Sequence, residues 1–202
     1  TSAGALTGDK DKDGKVVYTL DTLAKDAKLL KVSLNVTWTL LCCFLIMFMQ
    51  AGFALVEAGL TRGKNVAHTF GMNFIVYAVG MIGFWICGFA LQMGGVGALP
   101  TYDGPGVMDK IYTISLFGKD FGLFGYKGFF LAGDANDMSI LVLFIFHMVF
   151  MDTAATIPTG ALAERWKFSA FIVFSFFLGM VLYPVYGCWV WGGGWLSTLG
   201  KN

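Results

Sequence analysis

The sequence predicts an all-α membrane protein with four transmembrane helices, and three observations predict it. The 202 residues are 56% hydrophobic, with a mean hydropathy of +0.68. Only 13% are charged, against about 25% in an ordinary soluble domain. Four stretches, about 35–59, 66–93, 138–163 and 168–191, are apolar over the roughly 20 residues that a bilayer span requires.

Residues 1–34 form a polar extension with six lysines and five aspartates. Its segment TLDTLAKDAKLLK (19–31) reads as a short solvated helix leading into the first span. The membrane domain then occupies 35–202. A short polar turn, TRGKN (61–65), joins the first two spans, and ERWK (164–167) joins the last two; 94–137 is a long loop between the pairs. Arg62 and Lys64 lie in one short turn and Arg165 and Lys167 in the other, so both turns are expected on the cytoplasmic side. The N-terminus, the long loop and the C-terminus are then extracytoplasmic. The first residue is Thr1 rather than Met, which fits removal of a leader, although none is visible.

Several chemistries find little material. A net charge of +1 implies no bulk attraction to nucleic acid. Cys42, Cys43, Cys87 and Cys188 lack metal-ligand spacing and suggest neither zinc nor a disulfide framework. DKDKDGK (9–15) looks like the start of a calcium loop, but its twelfth position is Leu20 and Asp21 misses by one, leaving a solvated turn. Asn35-Val36-Thr37 is a glycosylation sequon abutting the membrane. GGVGALP (94–100) lacks the third glycine of a dinucleotide loop. With His68 and His147 as the sole histidines, hydrolytic catalysis has no nucleophile–base set, and no enzyme, metal or cofactor is expected. The two histidines could in principle be axial haem ligands, but they fall at different depths of their spans.

QAGFALVEAGLTRGKN (50–65), GALAERWKFSA (160–170) and YPVYGCWVWGGGWL (183–196), in this order and spacing, resemble the ammonium transporter family, in its microbial branch. The resemblance runs from about Asn35 to the C-terminus. It implies a bundle of about eleven membrane helices in two inverted halves, with the N-terminus outside and a pore in each subunit of a homotrimer. The chain would be its N-terminal portion, ending before the family's two pore histidines. The implied function is transport of ammonium or ammonia across the cell membrane. The alternative is an ammonium sensor coupled to a cytoplasmic signalling module. Implied partners are a PII-type regulator or an attached kinase module, with lipid around a multi-pass protein.

By position relative to GALAER, Phe150 matches the outer phenylalanine of the family's pore gate, and Phe146 matches an aromatic one turn further out. Trp191 matches the tryptophan of the outer cation site. Independently of the family, residues i and i+4 share a helix face, so Phe146 and Phe150 stack on one side with Ile157 near the same stripe. Aromatic faces suit a cation that is losing water.

Asp152, two residues past Phe150, lies about 200° round the helix and points away from that face. An intramembrane carboxylate marks a partner or a pathway, and the expectation here is a hydrogen-bonded structural site between helices or subunits. His147 is expected to pack or to bond between helices. Pro158, followed by Thr159 and Gly160, suggests a bend. Glu57 at the end of the first span opposes the helix dipole, and Arg62 or Lys64 is expected to offset it. Gly52, Gly59 and Gly63 are expected to allow close helix approach and a tight reversal.

Overall fold

The computed structural model describes residues 9–10, 16–116 and 118–199. Most of the DKDKDGK turn, residues 11–15, lies outside the described residues. The described part of the extension opens with two short antiparallel strands, β1 (Asp9–Lys10) and β2 (Val16–Val17).

The first helix, α1 (Leu20–Leu60), is one unbroken element of 41 residues. The sequence reading divided it into a solvated segment and a span, because its polarity changes near residue 35. Polarity decides what surrounds a helix, not where it stops, and nothing in this stretch breaks it. Thr19 starts it: its hydroxyl accepts from the Thr22 amide at 3.2 Å while the Thr22 hydroxyl accepts from the Thr19 amide at 2.9 Å. At 1.5 Å per residue α1 is about 60 Å long, roughly twice the hydrocarbon thickness, so its lysine-bearing first turns stand clear of the apolar layer. The long loop packs against them. Lys28 pairs with Asp103 at 2.6 Å, the Asn35 amide donates to Thr101 O at 2.9 Å, and Thr39 meets the Tyr102 hydroxyl at 3.0 Å. The amide of the sequon is therefore engaged in tertiary structure.

The second span is α2 (Val66–Gly83), a π-helical turn over Phe84–Gly88, and α3 (Phe89–Met93). The long loop follows. It is not structureless: β3 (Gly97–Leu99) pairs with β4 (Gly104–Met108), and β5 (Ile111–Leu116) pairs with β6 (Lys119–Gly125), both antiparallel. The fold is thus helical with short hairpins on one side. The second hairpin closes over one end of the helices, where Trp189 Nε1 donates to Leu123 O at 2.8 Å.

The third span, α4 (Met138–Ala161), begins where the Asp137 side chain accepts from the Ser139 amide at 2.9 Å. It packs on both α1 and α2 and is the most enclosed of the four spans. Pro158 does not interrupt it: α4 runs on to Ala161, with Leu162 N donating to Pro158 O at 3.0 Å. The fourth span joins α5 (Phe168–Phe177), a π-turn at Leu178–Leu182, and α6 (Tyr183–Val190), with α7 (Trp195–Thr198) beyond it. The π-turn leads directly into Pro184, whose missing N–H cannot serve an ordinary helical bond.

The two π-turns pack against each other. A Cβ on Gly88 would stand 2.4 Å from Gly179 O, and one on Gly179 would stand 2.5 Å from Gly80 O. These are the close backbone approaches. Gly52, Gly59 and Gly63 have nothing within 4 Å of a built Cβ, so the expectation that they seat neighbouring helices is corrected: within this chain those faces are open.

Candidate functional site

Two successive stretches of α4, 146–150 and 156–159, serve different surroundings. On the side facing α1 and α2 runs a buried polar seam. Gln50 Nε2 donates to Asn73 O at 2.7 Å and to the Thr156 hydroxyl at 2.6 Å, and Asn73 Nδ2 donates to Glu57 Oε2 at 2.7 Å. The Thr159 hydroxyl donates to the same Glu57 oxygen. Glu57 is therefore held by Asn73 and Thr159, and the expectation that Arg62 or Lys64 offsets it is corrected: Arg62 is taken by Glu164 at 2.7 Å. A carboxylate near the end of an apolar helix needs donors, and neutral amide and hydroxyl groups supply them.

Asp152 is 3% exposed, and its Oδ1 has no hydrogen-bond partner among the described residues. The expected hydrogen-bonded anchor is not completed within them. Asp152 is also absent from the lining of the cavity described next.

That cavity, about 370 Å³, is lined by Met93, Phe146, His147, Phe150, Tyr183 and Trp191. The structure thus gathers Phe146, Phe150 and Trp191 from two spans around one space, with His147 among them. Phe146 and Phe150 lie with ring centroids 5.0 Å apart, one helical turn along α4. Trp191 stands just past the end of α6, nearly parallel to the His147 ring at 6.2 Å and edge-on to Tyr186 at 6.4 Å. Trp191 is placed by the compact GGG segment behind it: Gly193 takes φ 88°, and Gly192 and Gly194 N–H groups both bond Cys188 O. Phe150 and Trp191 remain 40% and 42% exposed, so the cavity is open on one side.

Three residues of this site were missed in the sequence. Met93 and Tyr183 line it, and Gln92 stands behind it, fully buried, with Nε2 3.0 Å from His147 Nδ1. The available signal was Gln92 itself, an amide inside an apolar span, which requires a partner. A second cavity, about 400 Å³, lies between α1 and α2 and touches the polar seam at Gln50 and Asn73. His68 lies edge-on to Phe168 at 5.8 Å, in surroundings separate from those of His147. Among the described residues no cluster of three His, Cys, Asp or Glu side chains could hold a metal ion.

Four apolar rods, hairpins capping one end of them and an aromatic-lined cavity among three spans define a multi-pass membrane protein. The chain belongs to the Ammonium Transporter Family, whose profile matches residues 37–202. It is 43% identical over 169 residues to ammonium transporter Amt2 of Archaeoglobus fulgidus, covering 83% of this chain and 31% of that protein. It is 34% identical over 181 residues to ammonium transporter Amt2 of Haloferax mediterranei, covering 90% of this chain and 36% of that one. The fold matches a solved structure titled Sensor Amt Protein with a TM-score of 0.66 and 29% identity, over 85% of this chain and 39% of the other. The chain thus spans about a third of the length of these relatives.

Proposed function

We propose that this chain forms part of a protein that moves ammonium or ammonia across the cell membrane and recruits the cation at the cavity of Phe146, Phe150 and Trp191. The convergence of those three rings on one space carries the reading. Each aromatic face offers a cation about 0.5–2 kcal/mol, with tryptophan best. That is far less than the cost of stripping its water, so recruitment at the rings is favourable while passage through an apolar interior favours the uncharged form.

The test is Trp191→Leu, titrated with ammonium chloride at matched expression. Half-saturation should weaken about three- to thirty-fold if one cation–π contact is lost. Unchanged half-saturation would remove Trp191 from the site.

A sensor is the second reading, favoured by the likeness to the solved structure titled Sensor Amt Protein. It uses the same cavity, with signalling output in place of current. In either reading we expect a homotrimer, with a PII-type regulator or kinase module as cytoplasmic partner. Co-purification and the assembled mass of the protein test both. The contact between Arg62 and Glu164 brings the two short turns to one end of the helices, and their basic residues support a cytoplasmic placement of that end. A single cysteine at position 62 that labels from outside intact cells would overturn that orientation.

A further inference from the structure

His147 has its two ring nitrogens in different surroundings. Nδ1 is met by Gln92 Nε2 at 3.0 Å, inside the protein. Nε2 makes no hydrogen bond among the described residues, and it is not among the sealed, unpartnered atoms. With the ring lining the cavity, Nε2 is the nitrogen open to it. What the cavity meets there depends on which nitrogen carries the proton, and that is set by the group on the other side of the ring.

The Gln92 amide decides it. Its Nε2 lies against His147 Nδ1. An NH2 group in that place can give an N–H to Nδ1. Oε1 is then buried without a partner. Turned over, the amide would put both N–H bonds where Oε1 finds nothing. Under-satisfied carbonyls are tolerated in protein interiors more readily than orphaned N–H groups. The first orientation is therefore favoured, and an N–H donated to Nδ1 requires a lone pair there.

We propose that Gln92 holds His147 in the tautomer protonated on Nε2, so that His147 turns a hydrogen-bond donor into the cavity and binds a small neutral nitrogen ligand by its lone pair. Ammonia offers such a lone pair, whereas ammonium carries four N–H bonds and has none. The cavity then has two chemically distinct parts. The faces of Phe146, Phe150 and Trp191 suit the cation, and His147 suits the uncharged form. His147 is not the base that takes the proton of ammonium, because the nitrogen it presents is already protonated. The identity of the ligand rests on the ammonium reading above; the tautomer does not.

Nitrogen-15 labelling of histidine in the full protein, read by solid-state NMR in lipid as the difference between the parent and His147→Phe, reports the tautomer of His147 directly. A lone pair on Nδ1 with a proton on Nε2 is expected, and the reverse pattern or a doubly protonated ring would overturn the proposal. Gln92→Glu replaces the donor with a carboxylate and should move a proton onto Nδ1; an unchanged spectrum would remove Gln92 from its positioning role. In flux measurements with ammonium chloride, His147→Phe should lower maximal flux about two- to tenfold, the range of one neutral hydrogen bond. Half-saturation should shift less than about twofold, since the rings that recruit the cation remain. His147→Asn keeps an N–H donor and should recover most of the flux. Weakened half-saturation at unchanged maximal flux in His147→Phe would instead make His147 a cation ligand. Absence of ammonium-dependent flux or signal in the parent protein would overturn the ammonium reading and leave the tautomer measurement standing.

Discussion

Arg62 and Glu164 meet across 102 positions of the chain: the Arg62 Nε and Nη2 lie 2.8 and 2.7 Å from Glu164 Oε2, and the Arg62 amide donates to Oε1 at 2.8 Å. The fork ties the turn between the first two spans to the turn between the last two. Glu164 sits at φ 66°, a backbone conformation uncommon for a residue with a side chain, and its carboxylate satisfies both the charge and the amide opposite. The Arg62 guanidinium, the Asn65 side chain and the Arg62 amide hold the Glu164 carboxyl down at about 2.

A carboxyl whose folded value is depressed contributes stability above its unfolded value, and loses it as the pH falls through the folded one. The difference in thermal midpoint between the parent and Glu164→Gln should therefore be flat from about pH 5 to 8 and shrink as the pH falls from about 4.5 toward 2. A difference that vanishes already near pH 6 would assign the effect to a histidine instead.

Phe150 should behave differently from Trp191. It lies deeper on α4 and is 40% exposed to the open side of the cavity, so Phe150→Ala removes bulk as well as a cation contact. Maximal flux or its leak in the absence of a gradient should change several-fold, with half-saturation moving less than in Trp191→Leu. Equal shifts in half-saturation and no change in flux would make Phe150 a plain recruitment residue.

Asp152 is buried with Oδ1 unpartnered among the described residues. A buried acceptor in that condition costs about 1–3 kcal/mol or more, which argues for a donor supplied from beyond them. Asp152→Ala should lower the yield of assembled protein while leaving the ammonium response per assembled molecule within about twofold. A well-assembled Asp152→Ala protein with no response would place Asp152 in the functional site.

The glycines make a paired prediction. Gly179→Ala puts a methyl 2.5 Å from Gly80 O, in backbone that has no side chain to move aside. It should lower folded yield sharply, as overpacking at a close contact costs about 1–3 kcal/mol or more. Gly59→Ala meets nothing within 4 Å in a helical position and should stabilise the isolated helix by about 0.5–1 kcal/mol. Loss of folding in Gly59→Ala instead would show that its open face is covered in the assembled protein. Thermal midpoints in detergent and in lipid read both.

Four spans, their order and the shared face of Phe146 and Phe150 were determined by the sequence alone, because apolar length and the 3.6-residue period are local properties. The three quoted stretches also carried the family and pointed to Trp191. Nothing local could show that Trp191 and Phe150 border one space, since that depends on how the fourth span is rotated against α4. Packing of the two π-turns through Gly88 and Gly179 sets the fourth span against the second, and α4 then meets both the fourth span's π-turn and α6. The partners of Glu57 were misjudged for the same reason. Charges close in sequence suggested Arg62, whereas helix packing brought in Asn73 and Thr159 and left Arg62 to Glu164. Gln92 shows the limit most directly. An amide in an apolar run demands a partner, but only the approach of α3 to α4 decides that the partner is the inner nitrogen of His147.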